Sequence, residues 1–581
     1  MKKLWGWLGG INWRVVIPLF FILVVFVVNA FHEKYPDEFD SIVGGQYILQ
    51  GKIPYRDWFQ HHQPGAYVLS ALLLPFAGGS FVKMRVLIAL SFFSIIAATY
   101  FLIKKRVPTF DSKYYLFFAF TLAVSGTYFW GQMLLADTLA AYLFVPAYTL
   151  LLLKDYYRLK FEKTDLAIVT FCAFLVWFTS MTYLFAISGV ILYAIYLYTK
   201  GRLADGKSYK EILLDIVKIV ALPYILYLLF WFLTGSLKDW YFANIIYNQE
   251  YYIFNYPRPS GAHFNPIRYA IIIANTFMNN YLPALWGVLQ FPIGDPLQVT
   301  LAMSNAVFIM VLLLSGRAAF ILPFVIALIF SNGRSNPQQI KETDYWASVY
   351  IVLSFINGTF SLAALTDLVN HIKNSSSVRL LSGVLLIITW IYWVFMPSGM
   401  FLRMEDKFYP KYMGQAPLIY DRPQVAGIVN QLVSKDEYAW IGPFNFEELF
   451  YLKAKIPTKY HWFLDPAAKS KIKEEIVRDL NNHRPKVVVF QRNYTPWGGD
   501  AHTFNYFVTD FLDKNYFRIF TLNDTLSDVQ YKWKVSNTQN FDIDGDFNFD
   551  KRYQKEILEK LISLGYLEKV QKLPQTAQSS K

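Results

Sequence analysis

The stretch Val15 to Asp40, "VVIPLFFILVVFVVNAFHEKYPDEFD", decides how this chain is read. A long apolar run of about the length that crosses a bilayer ends at Phe31, and about six residues later three carboxylates, Asp37, Glu38 and Asp40, follow in quick succession. Similar runs recur through the first two thirds of the 581 residues, which are 55% hydrophobic, 19% aromatic and only 17% charged. The pattern predicts a polytopic α-helical membrane protein of about 11–13 spans. The clearest runs are Val15 to Phe31, Met84 to Ile103, Tyr114 to Trp130, Met133 to Leu153, Leu166 to Thr179 with Met181 to Leu197, Leu213 to Leu233, Val299 to Leu314, Ala318 to Phe330, Trp346 to Leu368 and Leu380 to Phe395.

Lysines and arginines orient these spans, because positive loops stay cytoplasmic. Lys2, Lys3 and Arg14 precede the first run, Lys104 to Arg106 follow the second, and Lys154 to Lys163 and Lys200 to Lys210 follow the fourth and sixth. All fall on one side when the chain is threaded, which predicts a multi-pass plasma (inner) membrane protein with a cytoplasmic N-terminus. The segment Tyr269 to Phe291 is read as interfacial or re-entrant, because Asn275, Asn279, Asn280 and Pro283 interrupt it. No small-residue cleavage site follows the first run, so it reads as an uncleaved anchor. The formal charge of +13 is carried largely by the cytoplasmic clusters, which gives nucleic-acid binding little support. A single cysteine, Cys172, lies within an apolar run and offers neither a disulfide nor a thiolate metal site.

Near Pro397 the composition changes. Residues 1–397 are assigned to the membrane domain, with a first outer loop at 32–83; 398–572 to an extracytoplasmic α/β domain; and 573–581 to a disordered tail. Short apolar strands, "YAWIG" (Tyr438 to Gly442), "KVVVF" (Lys486 to Phe490) and "FRIFTL" (Phe517 to Leu522), alternate there with helical patterns. "NFDIDGDFNFD", Asn540 to Asp550, suggests calcium at first sight, but Lys551 stands where an EF-hand frame needs its bidentate Glu. It reads better as an acidic loop, or as a strand with phenylalanines on one face and solvated acids on the other.

The first outer loop sits at the depth of lipid headgroups, where polar groups near the bilayer point to function. Within it Gly65 to Gly78 is too short to cross and fits an amphipathic helix lying on the membrane. Asp137 in "GQMLLADTLAAYL" falls roughly one helical turn below the outer surface, and Arg85 in "KMRVLIAL" begins an inward span at the same level. Asp137 either contacts a substrate or forms a structural bond, a salt bridge with Arg85 or a helix–helix hydrogen bond.

Asp37-Glu38, then "PYRDWF", "HHQPG" and "GGSFVKMR", together with the threading, resemble the GT-C superfamily of polyprenyl-phosphate-dependent glycosyltransferases, in its family-39-like group of protein O-mannosyltransferases and lipid A aminoarabinose transferases. In that family the first outer loop holds an Asp-Glu pair, matched by Asp37 and Glu38, and a later outer-end Asp is matched by Asp137. The resemblance implies a GT-C-like fold and a polyprenyl-phosphate-linked sugar as donor. It also implies a glycan, lipid or protein hydroxyl as acceptor on the extracytoplasmic face. Asp37 is then the candidate base, Glu38 an orienting partner, and Asp40 a substrate contact. Arg56, His61, His62 and Arg85 are candidates for the donor phosphate, although Arg56 and Asp57 can also pair with each other and His61 can cap a turn. His62 stands where several relatives carry a lysine, so Arg334, Lys341 or Tyr345 in "GRSNPQQIKETDYW" are held as further phosphate contacts. Magnesium or manganese on the clustered acids is a minority reading, and a transporter or flippase of lipid-linked glycans is the alternative function.

Overall fold

A computed structural model describes residues 12–32, 34–250, 266–287, 296–317, 321–331, 347–371, 376–412, 419, 421, 423–462, 471–492, 501–519, 529–535 and 541–571. The chain divides into two units: Met1–Ser41, His62–Leu233 and Ala262–Tyr420 form the first, and Ile42–His61, Thr234–Gly261 and Asp421–Lys581 the second.

The first unit is helical. Among the described residues, six of its helices are long and apolar enough to cross a membrane: Phe81–Arg106, Ala136–Tyr156, Met181–Ala204, Tyr209–Leu233, Ser348–Asn370 and Ser376–Val394. Trp13–Asn29, Gly65–Ala77, Gln298–Leu314 and Ile321–Phe330 are shorter apolar helices. Burial sorts them. The apolar window of Ser348–Asn370 is 94% buried, whereas that of Tyr209–Leu233 is 11% buried and turns Leu213, Leu222, Leu226, Phe230 and Phe232 outward. So apolar an exterior is what a lipid-facing helix carries.

Between the inner helices runs a chain of hydrogen bonds among fully buried side chains. Tyr148 Oη donates to Asn357, Asn357 to Asn305, and Asn305 to Ser354, each at 2.9 Å. The links join the helices that carry Tyr148, Asn305 and Asn357, and such bonds hold apolar helices in register.

Ion pairs gather at one end of the bundle. Arg106 meets Glu162 at 2.7 Å, Lys154 meets Asp165 at 2.8 Å, Lys160 meets Asp205 at 2.7 Å, and Lys163 meets Asp215 at 2.5 Å. Three of the basic clusters that charge counting places on one side, 104–106, 154–163 and 200–210, are therefore joined physically. Along Ala136–Tyr156, eighteen residues separate Asp155 at this end from Asp137 at the other, about 27 Å at 1.5 Å per residue. That separation approaches the hydrocarbon thickness of a bilayer, ~30 Å.

Three expectations need correction. The first outer loop is not a loop throughout, since Pro36–Leu49 is an α-helix beginning at the proline, with Asp37 and Glu38 in its first turn where the helix dipole favours anions. Pro266–Trp286 is one continuous helix with Pro283 inside it, so the asparagines do not break that segment. The domain boundary near Pro397 falls within the continuous helix Ser376–Tyr412. Gly65–Ala77 does have two faces: Leu72 and Phe76 are exposed, and Tyr67, Ser70, Ala71 and Leu74 are buried.

The second unit contains strands β1 (Ala439–Gly442), β2 (Val487–Phe490), β3 (Tyr516–Phe517), β4 (Val529–Trp533), β5 (Phe547–Asp550) and β6 (Leu567–Gln571). Four form a mixed sheet in the order β1-β2-β5-β3, with β1 parallel to β2 and β5 antiparallel to both β2 and β3; β4 pairs with β6 separately. "FRIFTL" contributes only Phe517 to a strand among the described residues. The residues 42–61 belong to this unit and not to the membrane part. Gln46 Nε2 donates to Phe450 O at 3.0 Å, Phe59 N donates to Lys459 O at 2.8 Å, and the Phe59 ring packs on Tyr460 and Trp462.

"FNFD" is strand β5, yet its acid is not solvated. Asp550 has no exposed surface and pairs with Arg484 at 3.2 Å and Arg552 at 2.6 Å. Asp546, just before the strand, is also buried, and burial raises its carboxyl to about 6 against the main-chain N–H of Asp542. Residues 573–581 and Asn540 lie outside the described residues.

Candidate functional site

The acids at the start of Pro36–Leu49 separate into different environments. Asp37 is exposed. Glu38 is fully buried and its Oε1 lies 2.5 Å from Arg85 Nε, which is equally buried. The same oxygen accepts the Leu134 main-chain N–H at 3.2 Å. Arg85 also donates to the carbonyls of Ala30 and His32, at 3.4 and 3.2 Å, and its guanidinium lies over the Phe81 ring. Burial pushes the Glu38 carboxyl up, against the opposing charge of Arg85 and the Leu134 N–H. Asp40 is buried and accepts from Tyr67 Oη at 3.2 Å.

Asp137 lies in the first turn of Ala136–Tyr156, 1% exposed, and accepts from Tyr183 Oη at 2.8 Å. The helix–helix hydrogen bond expected as one option is present, whereas the ion pair of Arg85 joins it to Glu38. Glu38 and Asp137 meet the same connection, Trp130 to Leu135, because Leu134 holds Glu38 and Asp137 follows three residues later. That connection is constrained. Trp130 adopts a left-handed backbone, φ 56°, and its ring packs at a tilt against Tyr35 with centroids 4.6 Å apart. A Cβ on Gly131 would lie 2.7 Å from the Phe129 ring, so only glycine fits there without a shift.

Of the phosphate candidates, Arg85 meets Glu38. Arg85 has no surface to offer a ligand, and its geometry makes it the partner of Glu38. Arg56, in the second unit, is exposed but forks onto Asp57 at 2.8 and 2.9 Å and donates to Thr234 O; its hydrogen bonds lower the Asp57 carboxyl. His61, in the same unit, is buried against the rings of Tyr247 and Trp462, and its carbonyl accepts from Asn248. His62 is half-buried, beside Gln63, which accepts from Tyr227 Oη at 2.5 Å. Arg334, Lys341 and Tyr345 lie outside the described residues. Among the described residues no group of three or more His, Cys, Asp or Glu side chains is placed to hold a metal ion.

Tyr67, Tyr183 and the Leu134 N–H were not foreseen. The tyrosine hydroxyls lie in apolar runs, and nothing in their spacing links them to acids 27 and 46 residues away. The assembly leaves Asp37 exposed on a helix whose next residue is anchored in the protein interior. A carboxylate so held can accept a proton from a bound hydroxyl without reorganising its backbone.

Searched against models of known protein families and against curated proteins, the chain has no match in either.

Proposed function

We propose that this chain is an integral-membrane glycosyltransferase of the GT-C type, family-39-like. It takes a sugar from a polyprenyl-phosphate donor and transfers it to an acceptor hydroxyl on the extracytoplasmic face. The observation that carries the reading is the division of labour among the first-helix acids. Of Asp37, Glu38, Asp40 and Asp137, Asp37 alone is exposed, while Glu38 and Arg85 anchor its helix from beneath.

In the proposed reaction the acceptor oxygen attacks the anomeric carbon and its proton passes to Asp37. The bond from that carbon to the phosphate oxygen breaks, and the lipid phosphate leaves with the electron pair on the opposite face, inverting the sugar. The two ionic ends of the bundle, about 27 Å apart along Ala136–Tyr156, support a bilayer-spanning placement with Asp137 and Asp37 at one surface. The joined basic loops at the other end are the cytoplasmic side in this reading, which makes the second unit extracytoplasmic.

The test is made in cells. Removing the protein is expected to deplete one sugar from the cell envelope. Wild-type protein should restore it, and Asp37→Asn, accumulating to the same level in the membrane, should not. Full restoration by Asp37→Asn would remove the proposed base.

A further inference from the structure

Only Thr234, Gly235 and Ser236 separate the membrane-crossing helix Tyr209–Leu233 from a second helical stretch, made of Leu237–Tyr241, the π-turn Phe242–Ile246 and Tyr247–Glu250. The junction is held in place. Gly235 takes φ 70°, a left-handed conformation that glycine adopts without steric cost, so the first helix stops there instead of running on. Arg56 Nη1 donates to Thr234 O at 3.0 Å, and the Thr234 and Ser236 hydroxyls are bonded to each other at 2.7 Å.

Depth follows from the ion pairs. Asp215, which holds Lys163 at the ionic end of the bundle, is eighteen residues from Leu233, about 27 Å at 1.5 Å per residue. That nearly crosses a hydrocarbon layer of ~30 Å, so the chain reaches the far boundary of the layer at Leu233, and Leu237 begins at headgroup depth.

The second stretch has two faces. Trp240, Ala243, Asn244 and Tyr247 are buried; the Tyr247 ring packs on Phe59 with centroids 4.8 Å apart, and Asn248 Nδ2 donates to His61 O at 3.0 Å. Those contacts lie within the second unit and fix the helix to it. On the other side Leu237 is 36% and Tyr241 51% exposed, four residues apart and therefore neighbours on the helix surface, with Ile245 half-buried beyond them. The adjacent charges cancel, since Lys238 is followed by Asp239 and Arg56 forks onto Asp57. An apolar stripe that carries a tyrosine and no net charge suits the boundary between acyl chains and headgroups, where tyrosine concentrates.

We propose that Leu237, Tyr241 and Ile245 insert into the headgroup boundary of the leaflet in which Tyr209–Leu233 ends, making this helix the membrane dock of the second unit. The occupant is lipid because the stripe continues, along the chain, the outward face of Tyr209–Leu233, whose Phe230, Phe232 and Leu233 are exposed. The cancelled charges leave apolar insertion as its driving force. The dock rests on the bilayer placement of the first unit and not on any sugar-transfer chemistry.

The experiment uses the full chain in nanodiscs of a zwitterionic phospholipid. The single native cysteine is removed as Cys172→Ser, and a nitroxide is attached in turn at Leu237→Cys, Tyr241→Cys, Leu226→Cys on the lipid-facing helix, and Lys555→Cys on an exposed part of the second unit. Power saturation compares collisions with oxygen, which concentrates among acyl chains, and with a water-soluble nickel chelate. The oxygen-to-nickel ratio at Leu237 and Tyr241 should exceed that at Lys555 several-fold, fall below that at Leu226, and stay the same in low and high salt. Melting temperature is recorded for each variant, and Ile245→Cys replaces either position if its label lowers it. A ratio at Leu237 and Tyr241 equal to that at Lys555 would overturn the dock. So would shielding from both reagents, the mark of a covering protein or a second copy of the chain, or a ratio that drops with salt, the mark of attachment by charge. If the Leu226 label itself meets the nickel chelate freely, the bilayer placement fails and the dock with it, whereas loss of the dock alone leaves the role of Asp37 untouched.

Discussion

Replacing Arg85 by methionine tests the anchor beneath Asp37. Arg85 and Glu38 are both fully buried and 2.5 Å apart, so removing the cation leaves a carboxylate in the interior with only the Leu134 N–H. At an effective dielectric constant of 20 a pair of unit charges 4 Å apart interacts by about 4 kcal/mol, and breaking a buried pair from one side typically costs about 3–5 kcal/mol. Arg85→Met should therefore remove a large part of a stability of roughly 5–15 kcal/mol. Glu38→Gln should cost a similar amount, and Glu38→Leu about 1 kcal/mol more, because the Leu134 N–H then also loses its acceptor. The double variant Glu38→Leu with Arg85→Met buries no uncompensated charge and should recover most of the loss. Unfolding by SDS titration in mixed micelles, followed by tryptophan emission, measures all four. Single losses below about 1 kcal/mol, or a double variant as damaged as the sum of the singles, would show that the pair does not anchor the helix.

Gly65→Ala places a Cβ 2.3 Å from Thr179 Oγ1 and 2.8 Å from its Cα, a backbone clash that no rotamer change relieves; a loss of about 1–3 kcal/mol is expected in the same titration. Tyr183→Phe withdraws the hydroxyl donor from buried Asp137 and should destabilise by about 1.5–3 kcal/mol if the carboxylate is ionised. Asp546 has its folded carboxyl raised to about 6 by burial, so the folded state binds the proton more tightly than the unfolded chain between about pH 4 and 6. Stability of the second unit should accordingly fall by up to about 3 kcal/mol as pH rises through that window. Hydrogen-exchange protection of β2 and β5, corrected for intrinsic rates, reads this out in the full chain; Asp546→Asn should flatten the slope, and a wild-type slope of the opposite sign would contradict it.

The long apolar helices were legible because lipid-facing and buried helix positions alike demand apolar residues, and composition alone reports them. Pro36–Leu49 was not, since Gly44-Gly45 and its polar residues argue for a loop, while the burial of Phe39, Ile42, Val43 and Tyr47 supplies the helix with packing that sequence spacing does not display. The asparagines of Pro266–Trp286 misled for the complementary reason: they lower apolarity without breaking a helix. Asp37, Glu38, Asp137 and Arg85 could be singled out as polar groups at one depth. Which of them bond each other could not, because 47 residues separate Glu38 from Arg85 and only the packing of helices sets that distance. The attachment of residues 42–61 to the second unit was likewise hidden, as hydropathy marks boundaries along the chain and not in space.

The most direct test of the central claim is sugar transfer by the purified chain in nanodiscs, supplied with radiolabelled polyprenyl-phosphate monosaccharides and envelope acceptors. The account predicts transfer with inversion by wild type and none above background by Asp37→Asn of equal melting temperature. Equal transfer by the two proteins would contradict it.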